Sequence, residues 1–171
     1  MQIRFAGYAV DCRISATLEL TMQRLTDALN AEDTIVLQDA VIENLDDGRR
    51  VAMARVELER AALYAVEATG PAGNRRLRVR TVRHRINVQL GPYGVLGELH
   101  TGPDTEPLRS LLGRGPLVPL TNATIAYVSG GQLAMHDAGT LLVNSALADW
   151  VMAPEHAARF FAGVPTIPSP A

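Results

Sequence analysis

The chain has 171 residues, of which 47% are hydrophobic and 20% are charged. This composition is typical of a folded globular protein and excludes an intrinsically disordered chain, which combines low hydrophobicity with high net charge. The formal net charge of −2 argues against a surface built as a whole to bind nucleic acid, and leaves room for a local basic patch.

Cys12 is the only cysteine, which excludes an internal disulfide and a multi-cysteine metal site and indicates a reducing compartment. The amino-terminal residues show no secretory signal pattern, and no window has 18 uninterrupted apolar residues, so we expect a cytoplasmic protein. No metal or cofactor is expected, because the histidines lack the spacing of metal ligands: His84, His100, His136 and His156.

The first half of the chain predicts strands interrupted by one short helix. Residues 8–20 alternate between apolar and polar side chains, which predicts a strand, and the three- and four-residue spacing of leucines in 22–30 predicts two helical turns. Residues 34–44 are rich in β-branched side chains and are followed by a turn sequence at 46–48, which together indicate a hairpin. The composition of 51–69 favours a helix and its periodicity a strand; we predict a strand with a central break.

The second half predicts the same series of elements. Its predicted parts are a strand at 75–90, a turn and strand at 91–102, a short helix at 108–114, a strand at 117–128 and a further strand run at 140–143. A short helix at 153–163 precedes a proline-rich tail.

An internal repeat underlies this similarity. Residues 25–42 are echoed by 108–125, and five positions return 83 places later: Leu25, Leu29, Leu37, Ala40 and Ile42 become Leu108, Leu112, Leu120, Ala123 and Ile125. We therefore predict a mainly β (α+β) fold of two similar units, packed as a barrel or sandwich about an approximate two-fold axis. The predicted boundaries are 1–70 for the first unit, 71–74 for a connecting turn, 75–152 for the second unit and 153–171 for a short helix and flexible tail.

The first copy resembles an uncharacterised bacterial family, known as a domain of unknown function. Its members carry an Arg-Leu-Ser-Asp-x-Leu-Asn segment ahead of a Leu-x-Asp-Ala strand. The residues that carry the likeness are Arg24, Leu25, Asp27, Leu29, Asn30, Leu37, Asp39 and Ala40. The second copy departs from the pattern, with Pro107, Ser110 and Gly113 at three of the matching positions. The resemblance implies a small, mostly β unit and no known chemistry.

The densest charge feature is the arginine-rich segment 75–85. If this segment is extended, Arg76, Arg78 and Arg80 project from one face and form a row that could contact phosphates. The alternative is that the row forms cross-strand ion pairs with the acidic residues of the preceding strand, Glu57, Glu59 and Glu67. We favour the ion pairs, because no aromatic side chains interleave with the arginines to stack on bases.

Asp39 and Asn122 occupy equivalent positions in the two copies, just before an alanine, and we predict a β-bulge or bend at both. Phe160 and Phe161 are candidates for contact with a partner chain. With no catalytic residues recognised, the favoured hypothesis is a non-enzymatic binding or assembly module that contacts another protein or itself. The alternative is a nucleic-acid or anionic-ligand binder, a duplicated small β-barrel that uses the arginine segment. A small enzyme using His100, Asp104 or His136 is the third hypothesis.

Overall fold

The computed structural model describes residues 1–21, 24–70 and 79–152. The described elements of the first half are β1 (Gln2–Tyr8), β2 (Cys12–Glu19), α1 (Leu25–Ala31), β3 (Thr34–Asn44), β4 (Arg50–Glu59), a 3₁₀ turn (Arg60–Ala62) and β5 (Ala65–Glu67). Those of the second half are β6 (Val82–Leu90), β7 (Tyr93–Thr101), α2 (Pro107–Gly113), β8 (Leu117–Ser129), β9 (Gln132–Asn144), a 3₁₀ turn (Ser145–Leu147) and β10 (Trp150–Met152). The mainly β fold predicted from the sequence is confirmed.

The described strands form one open antiparallel sheet, in the order β10-β6-β7-β8-β9-β5-β1-β2-β3-β4. In each half the four longer strands are neighbours in chain order, with the short helix between the second and the third. The short strand of each half returns to pair with the first strand of that half. Strand β5 also pairs with β9, so it joins the two halves into a continuous sheet. The ends of this order are β10 and β4.

Several local predictions are confirmed. The ambiguous stretch 51–69 is a strand with a central break, because the 3₁₀ turn separates β4 from β5. The hairpin between β3 and β4 closes where predicted: Asn44 Oδ1 accepts hydrogen bonds from the backbone amides of Asp46 and Asp47, at 2.7 and 3.3 Å. Gly48 then adopts a φ of 68°, which an L-residue rarely adopts. The turn chemistry of this segment is local, which is why the sequence reveals it.

The single strand predicted at 8–20 is wrong, because the chain reverses there between β1 and β2. The amide of Ala9 donates a hydrogen bond to the carbonyl of Cys12 at 2.9 Å, and Tyr8 pairs with Arg13 across the hairpin. Val10, which fits the alternating pattern, lies at the turn and is 60% exposed. The apolar alternation runs through the turn without glycine or proline to mark it, so periodicity alone merged two strands.

The strand predicted at 75–90 is shorter in the described part of the chain. Strand β6 begins at Val82, and residues 79–81 belong to no strand. Residues 71–78 and 153–171 lie outside the described residues, and with them the predicted connecting turn, the start of the second unit, the short helix and the tail.

Asp39 and Asn122 are the two non-glycine residues with positive φ among the described residues, at 50° and 48°. At each of them the sheet register slips by one residue, between β2 and β3 in one case and between β7 and β8 in the other. Asp and Asn tolerate this left-handed conformation better than most residues, because their short side chains can bond to nearby backbone. The predicted bulges are therefore confirmed at both positions.

Two groups of buried side chains form the core, and each takes residues from both halves of the chain. Tyr8, Leu45 and Ala65 from the first half pack into the cluster built mainly by β6–β9. Leu117 and Leu142 from the second half pack into the cluster built mainly by β1–β3 and α1. Since burying each large apolar side chain contributes about 1.5–3 kcal/mol, these shared contacts bind the halves to one another.

Helices are short throughout the described part of the chain. Both α1 and α2 have seven residues. No described helix is long and apolar enough to cross a membrane.

Candidate interaction site

The β4 edge, meaning the outer side of strand Arg50–Glu59, is the most exposed stretch of the sheet. Strand β4 pairs with β3 along its inner side, and no strand of the described residues pairs with its outer side. Apolar side chains nevertheless occupy its first half: Val51 is 44% exposed and Met53 is 45% exposed, with the exposed Ala52 and Ala54 beside them. Natural edge strands usually carry charges, prolines or a covering segment that blocks further pairing, and residues 51–54 carry neither a charge nor a proline.

Both ends of the β4 edge are held by ion pairs. Arg50 contacts Glu43 of β3 at 2.7 Å. Arg60, directly after the strand, contacts Asp33 at 2.6 Å and donates hydrogen bonds to three carbonyl oxygens at the end of α1, those of Leu29, Asn30 and Glu32. The strand also carries three exposed charged side chains, Arg55, Glu57 and Glu59, so the uncharged part of the edge is residues 51–54.

Strand β9 holds the corresponding place in the second half, and there a strand covers it. Leu141, Leu142 and Val143 of β9 pair with β5 and are completely buried. In the first half, Val56 and Leu58 of β4 are only partly buried at the edge of the core. The difference in burial follows from β5, which lies against β9 and has no counterpart against β4 among the described residues.

A cluster of tyrosines lies where the two halves meet. The rings of Tyr8, Tyr93 and Tyr127 pack at centroid distances of 5.4–5.9 Å, and the Arg13 guanidinium lies 5.6 Å from the Tyr8 centroid and 5.5 Å from that of Tyr127. Tilted rings and a cation over a ring face are both attractive arrangements. The Tyr93 hydroxyl donates a hydrogen bond toward the carbonyls of Ala9 and Cys12 in the first half.

The ionisable groups of this cluster are held in their protonated forms. Burial, reinforced by the neighbouring Glu67 carboxylate, raises the pKa of Tyr8, and burial raises the pKa values of Tyr93 and Tyr127. Burial, with Asp11 close by, raises the pKa of Cys12 to about 11. The thiol is therefore uncharged at neutral pH, which argues against a nucleophilic role for this cysteine.

His136, one of the candidate catalytic residues, takes part in this junction. Its Nε2 lies 3.2 Å from Glu67 Oε1, and the same oxygen accepts a hydrogen bond from the Tyr8 hydroxyl at 2.7 Å. The contact joins β9, β5 and β1 through one carboxylate. These contacts give His136 a structural role, because they connect the strands that join the two halves.

His100 and Asp104, the other candidate catalytic residues, also show no catalytic arrangement in the described residues. His100 Nε2 lies 2.7 Å from the Thr121 hydroxyl and its Nδ1 lies 3.2 Å from the Thr81 hydroxyl. Asp104 is exposed in the turn before α2. Across residues 1–21, 24–70 and 79–152, no group of three or more His, Cys, Asp or Glu side chains could hold a metal ion.

The arginine row is only partly within the described residues. Arg76 and Arg78 lie outside them, as do Phe160 and Phe161. Arg80 is exposed and precedes β6. Arg83 and Arg85 alternate along β6 and therefore share one face of the strand, where both are exposed.

Cross-strand pairing with Glu57, Glu59 and Glu67 does not occur for Arg83 and Arg85, and for the row Arg76, Arg78 and Arg80 it stays a prediction. Strand β6 pairs with β7 and β10, so the acidic strands that precede it in sequence are not its neighbours. Arg83 instead lies 3.5 Å from Glu98 of β7. The prediction assumed that consecutive strands pair, whereas β5 lies between β1 and β9.

Asn30 makes a structural contact with Leu117 that the sequence did not predict. Its side-chain amide donates to the carbonyl of Leu117 at 3.1 Å and accepts from the amide of the same residue at 3.0 Å. These two bonds attach the end of α1 to the start of β8 in the other half. The corresponding residue of the second copy is Gly113, and this loss of the amide is the signal that Asn30 serves a contact made by one copy alone.

Comparison with protein-family models, with curated proteins and with solved structures gives no match. The family resemblance of residues 24–40 therefore stays a prediction. The function has to be inferred from the geometry of the β4 edge and its neighbours.

Proposed function

We propose that this chain is a non-enzymatic assembly module, and that its β4 edge binds an extended strand of a protein partner. The observation that carries the proposal is the contrast between β4 and β9. Residues 141–143 of β9 are completely buried under β5, whereas no described strand lies against β4, where Val56 and Leu58 are only partly buried and Val51 and Met53 are exposed. A strand added to such an edge gains main-chain hydrogen bonds, and its side chains cover the exposed apolar surface.

The proposal includes a duplicated architecture, in which each half is one copy of a small curved β unit of the barrel type, related by an approximate two-fold axis. Three features support the duplication. The halves share the strand order of short, first, second, third and fourth strand. The positive φ values at Asp39 and Asn122 fall 83 residues apart, and the repeated Leu37 and Leu120 are both fully buried.

The test places a photoreactive amino acid at Val51 in cells that express the full chain. We expect irradiation to join it to a second polypeptide, identified by mass spectrometry, because position 51 lies within the proposed contact. The matched control is the same amino acid at Val128, which is equally exposed at 44% but lies on β8, a strand paired on both sides.

A second pair of variants tests the contribution of the apolar edge. Met53→Lys should reduce the yield of the Val51 photoproduct about tenfold or more, a change equivalent to about 1.4 kcal/mol, because a lysine on an edge strand opposes further pairing. Met135→Lys, at a residue of similar exposure on β9, should leave the yield unchanged. Equal photoproduct at positions 51 and 128, or none at either, would contradict the proposed function.

An anion-binding function is the second candidate, supported by the exposed Arg83 and Arg85 on one face of β6 and by Arg80 just before it. Its prediction is a salt-sensitive mobility shift with single-stranded RNA that weakens when Arg83 and Arg85 are both replaced by alanine. Arg109→Ala, at an exposed arginine on α2, is the control and should leave the shift intact. Absence of any shift with the intact chain at low salt would eliminate this candidate.

A further inference from the structure

We infer that the partner strand at the β4 edge is β10 of a second copy of this chain, so that copies associate head to tail. The inference rests on the proposed function of that edge and names its occupant. The inferred contact between two chains repeats the contact that already joins the two halves of one chain. In that contact the short strand of one half, β5, lies against the fourth strand of the other half, β9.

The short strands β5 and β10 have the same relation to their own halves. Each follows a three-residue 3₁₀ turn after the fourth strand of its half. Each pairs antiparallel with the first strand of its half, Val66 opposite Gly7 in one case and Val151 opposite Val88 in the other. On this basis Val151 of β10 corresponds to Val66 of β5.

The repeat also assigns positions on the receiving strand. Leu37 of β3 lies opposite Val56 of β4, and its repeat partner Leu120 of β8 lies opposite Leu141 of β9. Val56 therefore corresponds to Leu141. The next residue of each strand corresponds in the same way, so Glu57 of β4 matches Leu142 of β9.

The register of the contact between copies follows from these two correspondences. Within the chain, Val66 of β5 lies directly opposite Leu142 of β9. The same pairing between copies places Val151 of the incoming β10 directly opposite Glu57 of β4. Trp150 then lies opposite Leu58, which gives an apolar cross-strand pair of the kind that stabilises sheets.

The contact between two chains is weaker than the contact between the two halves of one chain, because it lacks a pair of side-chain hydrogen bonds. Between halves, Asn30 contributes two hydrogen bonds to Leu117. Gly113 corresponds to Asn30 and has no side chain, so a contact between copies lacks both bonds. Because each copy offers one β4 and one β10, the assembly is heterologous and grows until it closes as a ring or extends as a filament.

The test is disulfide trapping in the full chain with Cys12→Ala and two new cysteines, Glu57→Cys and Val151→Cys. Directly opposed residues of an antiparallel pair are close enough for a disulfide, so mild oxidation should produce a ladder of covalent multimers that disappears on reduction. The variant with Cys12→Ala and Glu57→Cys alone should give no species beyond a dimer, since each chain then has one thiol.

Two matched variants control the register. Val66→Cys with Leu142→Cys, directly opposed within the chain, should give an intrachain disulfide and shows that this kind of pair can be bridged. Ala54→Cys with Val151→Cys displaces one thiol by three residues, about 10 Å along the strand, and should give at least tenfold less ladder.

The outcomes separate the inference from the proposed function. If the ladder is absent while the photoreactive residue at position 51 joins a different protein, β4 has another occupant and the inference is wrong. A disulfide between positions 57 and 151 of one chain, with no multimers, overturns it as well. If position 51 joins nothing and no ladder forms, both the inference and the proposed function fail.

Discussion

Replacing Tyr93 by alanine is expected to lower the free energy of unfolding by about 3–5 kcal/mol, the usual cost of removing a buried aromatic ring. Tyr93 is completely buried, and its ring packs against Tyr8 and Tyr127 at centroid distances of 5.4 and 5.7 Å. It lies on β7 but contacts the first half of the chain, so its loss weakens both the core and the junction between the halves. Urea denaturation followed by circular dichroism measures the change.

Tyr93→Phe is the control that separates the ring from its hydroxyl. The hydroxyl satisfies carbonyl oxygens of the β1–β2 turn, those of Ala9 and Cys12. Losing it should cost about 1–3 kcal/mol, the range for a buried polar group left without its partner. If the phenylalanine and alanine variants were equally unstable, the ring packing would contribute nothing and the role assigned to the tyrosine cluster would be wrong.

Leu37→Ala and Leu120→Ala should each lower the free energy of unfolding by about 2–5 kcal/mol, because both leucines are fully buried and a cavity remains in each case. They occupy the same position in the two copies and lie in different core clusters. Each cluster contains residues of the other half, so we expect each variant to shift one common transition rather than to unfold one half alone.

Calorimetry checks this prediction through the shape of the unfolding transition as well as its midpoint. Val128→Ala, at a residue 44% exposed, is the control and should change stability by less than about 0.5 kcal/mol. Two separate transitions in either leucine variant would show that the halves fold independently, which would contradict the shared core described above.

The features that the sequence predicted correctly are those that depend on neighbours in the chain. The turn at 46–48, the break in 51–69 and the two bulges at Asp39 and Asn122 each follow from a few adjacent residues with restricted backbone preferences. The short helix α1 is also local, because Leu25 and Leu29 lie four residues apart on one face and are both buried.

The candidate site was less accessible to sequence reasoning. Neither the edge position of β4 nor the tyrosine cluster was predicted, and the predicted residues Phe160 and Phe161 lie outside the described part of the chain. Residues 51–54 and 141–143 are both runs of apolar side chains, yet the first run is exposed and the second is completely buried. Which of them is covered depends on the strand that lies beside it.

The sequence by itself determined the mainly β character, the hairpin turn after β3, the break in 51–69 and the two bulges, because these depend on side chains a few residues apart. Tertiary structure alone decided that β5 lies between β1 and β9, and with it which charges pair and which strand edge stays open. The physical reason is that strand pairing joins residues far apart in the chain, whose choice of partner depends on how the whole sheet buries its apolar surface.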